Sequence, residues 1–223
     1  MNFLELRTLT RQRADMESSD FVGETELGDY INLSARKLYN LLLTQFEDYF
    51  IKDPAPTYSL GESASSITLP SDFYKLKGLD WLSDGGTLYV PCKPFDFGAS
   101  RECLDQGGVS GTYRLWYVPQ FVPLQNDTDE LSGMLRFENY VIVDAAITCL
   151  QKEESDVSFF MAEREKIERE IKESSGDRDL SESHRIRNVR GQRSRPTPRY
   201  HLLGGKILLV QPRSLSRLGV SYE

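Results

Sequence analysis

Apolar residues recur with two different periods along this chain, and the change of period divides it. Residues 2–17 carry Phe3, Leu6, Leu9 and Met16 roughly on one side, which predicts a short helix broken by Ser18, Ser19, Asp20 and Gly23. A second helix is predicted over 25–50, with Thr25 as N-cap and Glu26 and Asp29 complementing the dipole in its first turn. Its series Leu27, Ile31, Leu38, Leu41, Leu42, Phe46 and Phe50 keeps helical spacing, and Asp53-Pro54-Ala55-Pro56 ends it.

The middle of the chain reads as extended. Tyr58–Leu60, Ser66–Leu69, Phe73–Trp81, Thr87–Val90 and Gly111–Val118 are each bounded by Gly, Pro, Ser or Asp. In the last of these, Tyr113, Leu115 and Tyr117 share one face, and Arg114 and Trp116 share the other. Residues 95–110 fit either a short helix or a loop. Helical spacing returns over 136–151 through Phe137, Tyr140, Val141, Asp144, Ile147 and Thr148. It returns again over 155–173, with Ser155 as N-cap and a stripe of Val157, Phe160, Met161, Arg164, Ile167 and Ile171.

Residues 174–198 are polar and nearly free of large apolar groups, so alone they bury too little to order. Tyr200–Leu203, Gly204-Gly205 and Lys206–Gln211 then read as strand, turn and strand. Two strands alone are at best marginally stable, so this hairpin needs a further surface, in its own chain or in a neighbour.

Composition sharpens one point. The 223 residues have a net charge of −7, but residues 1–175 hold 17 basic and 30 acidic side chains, and residues 176–223 hold 10 basic and 4 acidic. An acidic body at −13 therefore carries a basic arm at +6. No apolar run approaches the roughly 20 residues of a membrane span. Met1–Met16 lacks the pattern of a secretory signal. Cys92, Cys103 and Cys149 form neither a disulfide framework nor a CxxC pair, and a reducing compartment is expected.

Candidate chemistry is sparse. The two histidines, His184 and His201, both lie in the arm. No phosphate loop, nucleophile elbow or metal motif is present, and neither catalytic residues nor a cofactor or metal is expected. Glu153, Glu154, Glu163, Glu165, Glu168 and Glu170 read as a solvated helix face, and the three cysteines as small core hydrophobes. Asp144 falls on the apolar stripe of its helix and reads as a buried, partnered carboxylate. The distinctive constellation is the arm. Arg178, Arg185, Arg187, Arg190, Arg193, Arg195 and Arg199 precede Tyr200, Leu202, Ile207 and Leu209. Arginine suits bidentate contact with carboxylate or phosphate. No aromatic is interleaved before Tyr200, and the body is acidic, so docking on an acidic protein groove is favoured over nucleic-acid binding. The partner-binding residues expected from this reading are Arg185, Arg187, Arg190, Arg193, Arg195, Arg199, Tyr200, Leu202, Ile207 and Leu209.

The order and spacing of several segments resemble the head-to-tail adaptor (connector) proteins of tailed bacteriophages. They are Leu9-Thr-Arg-Gln-Arg13, Asp29-Tyr-Ile-Asn-Leu-Ser-Ala-Arg-Lys-Leu-Tyr39, Leu69-Pro-Ser-Asp-Phe-Tyr-Lys-Leu76, Tyr113-Arg-Leu-Trp-Tyr-Val-Pro119, Asp144-Ala-Ala-Ile147 and Lys152-Glu-Glu-Ser-Asp-Val157. The resemblance implies a helical bundle with a β-rich insertion; with the strand–turn–strand reading of Tyr200–Gln211, the expected fold is α+β with an extended C-terminal arm ending in a β-hairpin. Its expected divisions are 1–56 and 135–175 for the bundle, 57–134 for the β-rich module, 176–198 for a basic linker and 199–223 for the arm.

The resemblance also implies a noncatalytic virion protein of the head–tail junction, assembled in the host bacterial cytoplasm. It would form a ring, typically of twelve subunits, that binds the portal protein and a tail or nozzle protein. Packaged DNA would pass an acidic lumen without sequence-specific binding, and no membrane would be involved. The competing expectation is a DNA-binding packaging accessory that uses the basic arm. The chain departs from the family order in one place. A Tyr-Arg-Leu-x-Gly-x-Lys-Leu-like hairpin is expected just before Thr112–Val118, where Leu104–Gly111 stands instead. The similar string is Tyr200–Pro212. The C-terminal hairpin is therefore expected to complete the middle sheet, within the chain or by exchange between subunits.

Overall fold

The computed structural model describes residues 1–17, 21–46, 49–61, 66–83, 85–94, 110–134, 136–179 and 199–210. It is an α+β protein. Its elements are α1 (Phe3–Arg13), α2 (Glu24–Gln45), β1 (Thr57–Leu60), β2 (Ser66–Thr68), β3 (Phe73–Leu82), β4 (Val90–Pro91), β5 (Lys93–Pro94), β6 (Gly111–Pro119), α3 (Glu138–Lys152), α4 (Ser158–Asp179), β7 (Arg199–Leu203) and β8 (Lys206–Val210). The described residues fall into two compact units. Residues 1–50 and 121–179 form a helical unit, and residues 51–120 with 199–210 form a β unit. Residues 121–134, expected with the β-rich module, thus belong with the helices, and the hairpin expected as a separate arm belongs to the β unit.

In the helical unit, α3 is the central element. Every residue from Tyr140 to Ile147 is buried, because the helix has neighbours on several sides. α2 contributes Leu27, Ile31, Leu38 and Leu42, as its spacing predicts. On α1 the buried positions are Phe3, Leu6 and Thr10, not Leu9, which is exposed. Thr10 tolerates burial because its hydroxyl donates to the Leu6 carbonyl at 2.7 Å.

The helix starts differ from expectation in instructive ways. Gly23, not Thr25, is the N-cap of α2, and no side chain caps it. α4 starts at Ser158, where the Asp156 carboxylate, not Ser155, accepts from the Ser158 N–H at 2.9 Å. α2 ends at Gln45 rather than 50, and Phe50 instead packs at a tilt against Tyr39, 4.4 Å between ring centroids.

The β unit contains two four-stranded sheets, ordered β1-β6-β3-β4 and β2-β8-β7-β5. One shared core joins them. Leu79, Tyr113, Leu115 and Tyr117 of the first sheet meet Ile67, Ile207 and Leu209 of the second, with Cys92 between. The alternation in β6 places Tyr113, Leu115 and Tyr117 inward and leaves Arg114 and Trp116 on the opposite face. Thr87–Tyr89 are not strand. The turn closed by Gly86 N–H on the Ser83 carbonyl leads into a β4 of only two residues. Residues 95–109 and the linker 180–198 lie outside the described residues.

Candidate functional site

The C-terminal hairpin is the one element of the expected partner site that the structure describes. β7 and β8 pair antiparallel, with Tyr200 opposite Leu209 and Leu202 opposite Ile207. Gly204 and Gly205 both adopt positive φ, +55° and +76°, which a two-residue hairpin turn of this hand requires. The hairpin occupies the middle of its sheet. β8 pairs with β2 through Ser66–Leu208, Ile67–Ile207 and Thr68–Lys206, and β7 pairs parallel with β5 through Lys93–Arg199 and Pro94–Tyr200. The hairpin therefore completes a sheet within its own chain, although that sheet is separate from the one containing Thr112–Val118.

This placement bears on two residues of the expected partner-binding set. Ile207 and Leu209 are buried in the chain's own core, so in this arrangement neither faces a partner. Burial of two such side chains stabilises the seated hairpin by about 4 kcal/mol. Tyr200 packs against the same core, and its hydroxyl pKa is raised by burial and by Cys92 nearby. Leu202 and Leu203, at the turn end, remain 42% and 60% exposed. Arg199 is half-buried at the start of β7. Arg185, Arg187, Arg190, Arg193 and Arg195 lie outside the described residues.

A second constellation sits in the helical unit. Asp144, 1% exposed, accepts from Ser34 Oγ at 2.7 Å and Lys37 Nζ at 2.8 Å on one oxygen, and from Arg164 Nη1 at 3.1 Å on the other. One carboxylate thereby ties α2, α3 and α4 together. Burial pushes its pKa up, but hydrogen bonds from Lys37, Ser34 and Arg164 outweigh burial and hold it below the ordinary value of 3.8. Both oxygens already carry strong donors, so the group functions as an ionised joint between helices. Three of the glutamates read as a solvated face have ion-pair partners: Glu163 pairs with Arg13, Glu168 lies 3.6 Å from Arg164, and Glu170 lies 4.0 Å from Lys166.

Pattern reading missed a third cluster, on the outer face of the first sheet. Asp80 Oδ2 accepts from Arg114 Nε at 3.2 Å, Arg114 Nη2 at 2.8 Å and Trp116 Nε1 at 2.8 Å. The Arg114 guanidinium also lies over the Tyr89 and Trp116 rings, at 4.2 and 4.9 Å from their centroids. The alternation put Arg114 and Trp116 on one face, but only the β3–β6 register, which sets Asp80 opposite Arg114, brings in the acid.

Among the described residues, no group of three or more His, Cys, Asp or Glu side chains could hold a metal ion. No helix there is long and apolar enough to cross a membrane. The Cys92 and Cys149 thiols are pushed up by burial to about 12 and about 11, which removes thiolate character near neutral pH. No family model matches the chain, and no match is found among curated proteins.

Proposed function

We propose that this protein is a structural head-to-tail adaptor of a tailed-phage virion. In this reading it forms a ring of about twelve copies, binds the portal protein on one side and a tail or nozzle protein on the other, and extends the DNA channel. The observation that carries the reading is the chain organisation. Two helices precede the β1–β6 strands, two follow them, and the segments that resemble the adaptor family supply structural centres of both units. Asp144 of the Asp144–Ile147 segment joins three helices, and the Tyr113–Pro119 segment supplies the inner face of β6. The acidic body suits a passage along which phosphate slides without adhering. The chemistry of the described sites supports scaffolding: the central carboxylate is consumed by structural donors and the thiols are buried.

The test is to mix the purified chain with purified portal and image the product. A ring of this chain seated on the portal supports the reading, and absence of association removes it. Replacing Arg185, Arg187, Arg190, Arg193 and Arg195 with glutamine, which leaves the core residues Ile207 and Leu209 in place, separates this from the competing reading. Loss of portal association is the adaptor outcome, whereas loss of salt-sensitive duplex binding is the outcome for a DNA-packaging accessory.

A further inference from the structure

The hairpin β7–β8 lies far along the chain from the strands it pairs with, Ser66–Thr68 and Lys93–Pro94. Among the described residues β2 and β5 have no strand partner except the hairpin, so the second sheet exists only while the hairpin is in place. The seat is apolar and specific in register: Ile207 and Leu209 close a core made by Ile67, Leu79, Cys92, Tyr113, Leu115 and Tyr117. Residues 180–198 join α4 to the hairpin in sequence, and these 19 residues span at most about 68 Å when fully extended. That exceeds the roughly 35 Å width of an ordinary domain of about 100 residues.

We infer that the hairpin is exchanged between copies, so that residues 199–210 of one subunit complete the second sheet of the next. The occupant of the seat is then a second copy of this chain. Every contact made within one chain can form between two, which is the condition under which strand exchange creates an interface at low cost. A short tether gives the chain's own hairpin an effective concentration in the millimolar range, and neighbours in a ring present identical hairpins on identical tethers. Exchange also provides a buried joint that the described surface does not otherwise advertise. Its exposed large apolar side chains, such as Leu4, Leu33, Tyr74, Leu88 and Phe159, are distributed over α1, α2, β3, the β3–β4 connection and α4. The inference rests on the self-assembly part of the proposed function.

Thr68 and Lys206 provide the test, because they are opposite each other across β2 and β8 and both are exposed. Thr68→Cys on a size-tagged chain and Lys206→Cys on an untagged chain are co-expressed in a Cys103→Ser background, assembled and oxidised. Exchange predicts a tagged–untagged disulfide dimer as the main crosslinked product on a non-reducing gel. The double variant, with both cysteines in one chain, then gives a ladder of linked subunits. A double variant that closes only within its own chain, with no mixed dimer from the single variants, overturns the inference. So does the absence of any crosslink in either form, since the hairpin would then not occupy this seat. Intrachain closure in a ring that still binds portal overturns exchange and leaves the adaptor reading intact. A mixed dimer without portal binding supports exchange and removes the adaptor reading.

Discussion

Asp144 shows how much one side chain can decide. Its neighbours Lys37 and Arg164 reach toward solvent while the carboxylate does not, so neutralising it leaves two cations that water can partly serve. Asp144→Asn is expected to destabilise the helical unit by about 3 kcal/mol, near the lower end of the range for breaking a buried charge cluster. Chemical denaturation checks this. The folded pKa lies below the unfolded value, so the stabilisation is present above about pH 4 and is lost as pH falls through the folded pKa. The variant should therefore show a flatter loss of stability below pH 4 than the native chain. At Gly111, φ is +140°, and an added Cβ would meet the Leu82 carbonyl oxygen and Trp81 Nε1. Gly111→Ala should cost at least about 2 kcal/mol through strain and clash, measured as a lowered urea midpoint. The thiols give a third check. In a Cys103→Ser background, Cys92 and Cys149 should resist Ellman's reagent at pH 8 until denaturant is added, because both are buried with raised pKa values.

Among the elements, legibility in the sequence followed the size of the repeating signal. The long helical stripes of α2 and α3 and the two-residue alternation of β6 were readable, because each repeats its burial pattern over several turns or residues. β5 was not. Lys93-Pro94 has no strand pattern and is a strand only because Arg199 and Tyr200 lie alongside. The hairpin was legible as a hairpin through its Gly204-Gly205 turn, but its fate was not. Local pattern cannot say whether Ile207 and Leu209 face a partner or the chain's own core, since alternation marks only that one face of the strand is apolar. The Asp80–Arg114–Trp116 cluster was hidden for a similar reason, because it depends on a register between strands distant in sequence. Ile207→Ala is expected to destabilise the β unit by about 3 kcal/mol. A chain shortened to residue 198 should bind a hydrophobic dye through its opened core, while its far-UV helical signal persists.

For the whole molecule, charge is the property no single element displays. An acidic body at −13 and an arm segment at +6 carry opposite instructions about partners. If the arm docks on an acidic groove of the portal, raising salt from about 0.05 to 0.5 M should weaken the association at least tenfold, mainly through a slower on-rate. Replacing Arg185, Arg187, Arg190, Arg193 and Arg195 with glutamine should remove most of that salt dependence. Binding kinetics at several salt concentrations read both effects, and a salt-independent association would show that the arginines do not carry the docking.

The position of the hairpin in the chain also bears on how the protein is made. β2 is finished at residue 68, but the strand that pairs with it begins at residue 206. At bacterial or eukaryotic rates of about 5–20 residues per second, that interval takes on the order of ten seconds. Throughout it, Ile67 and Leu79 lack the cover of Ile207 and Leu209. The nascent β unit is thus an unfinished, adhesive surface for most of translation. Chaperone capture during synthesis, or pairing with a chain emerging from an adjacent ribosome on the same message, would act on it in that window.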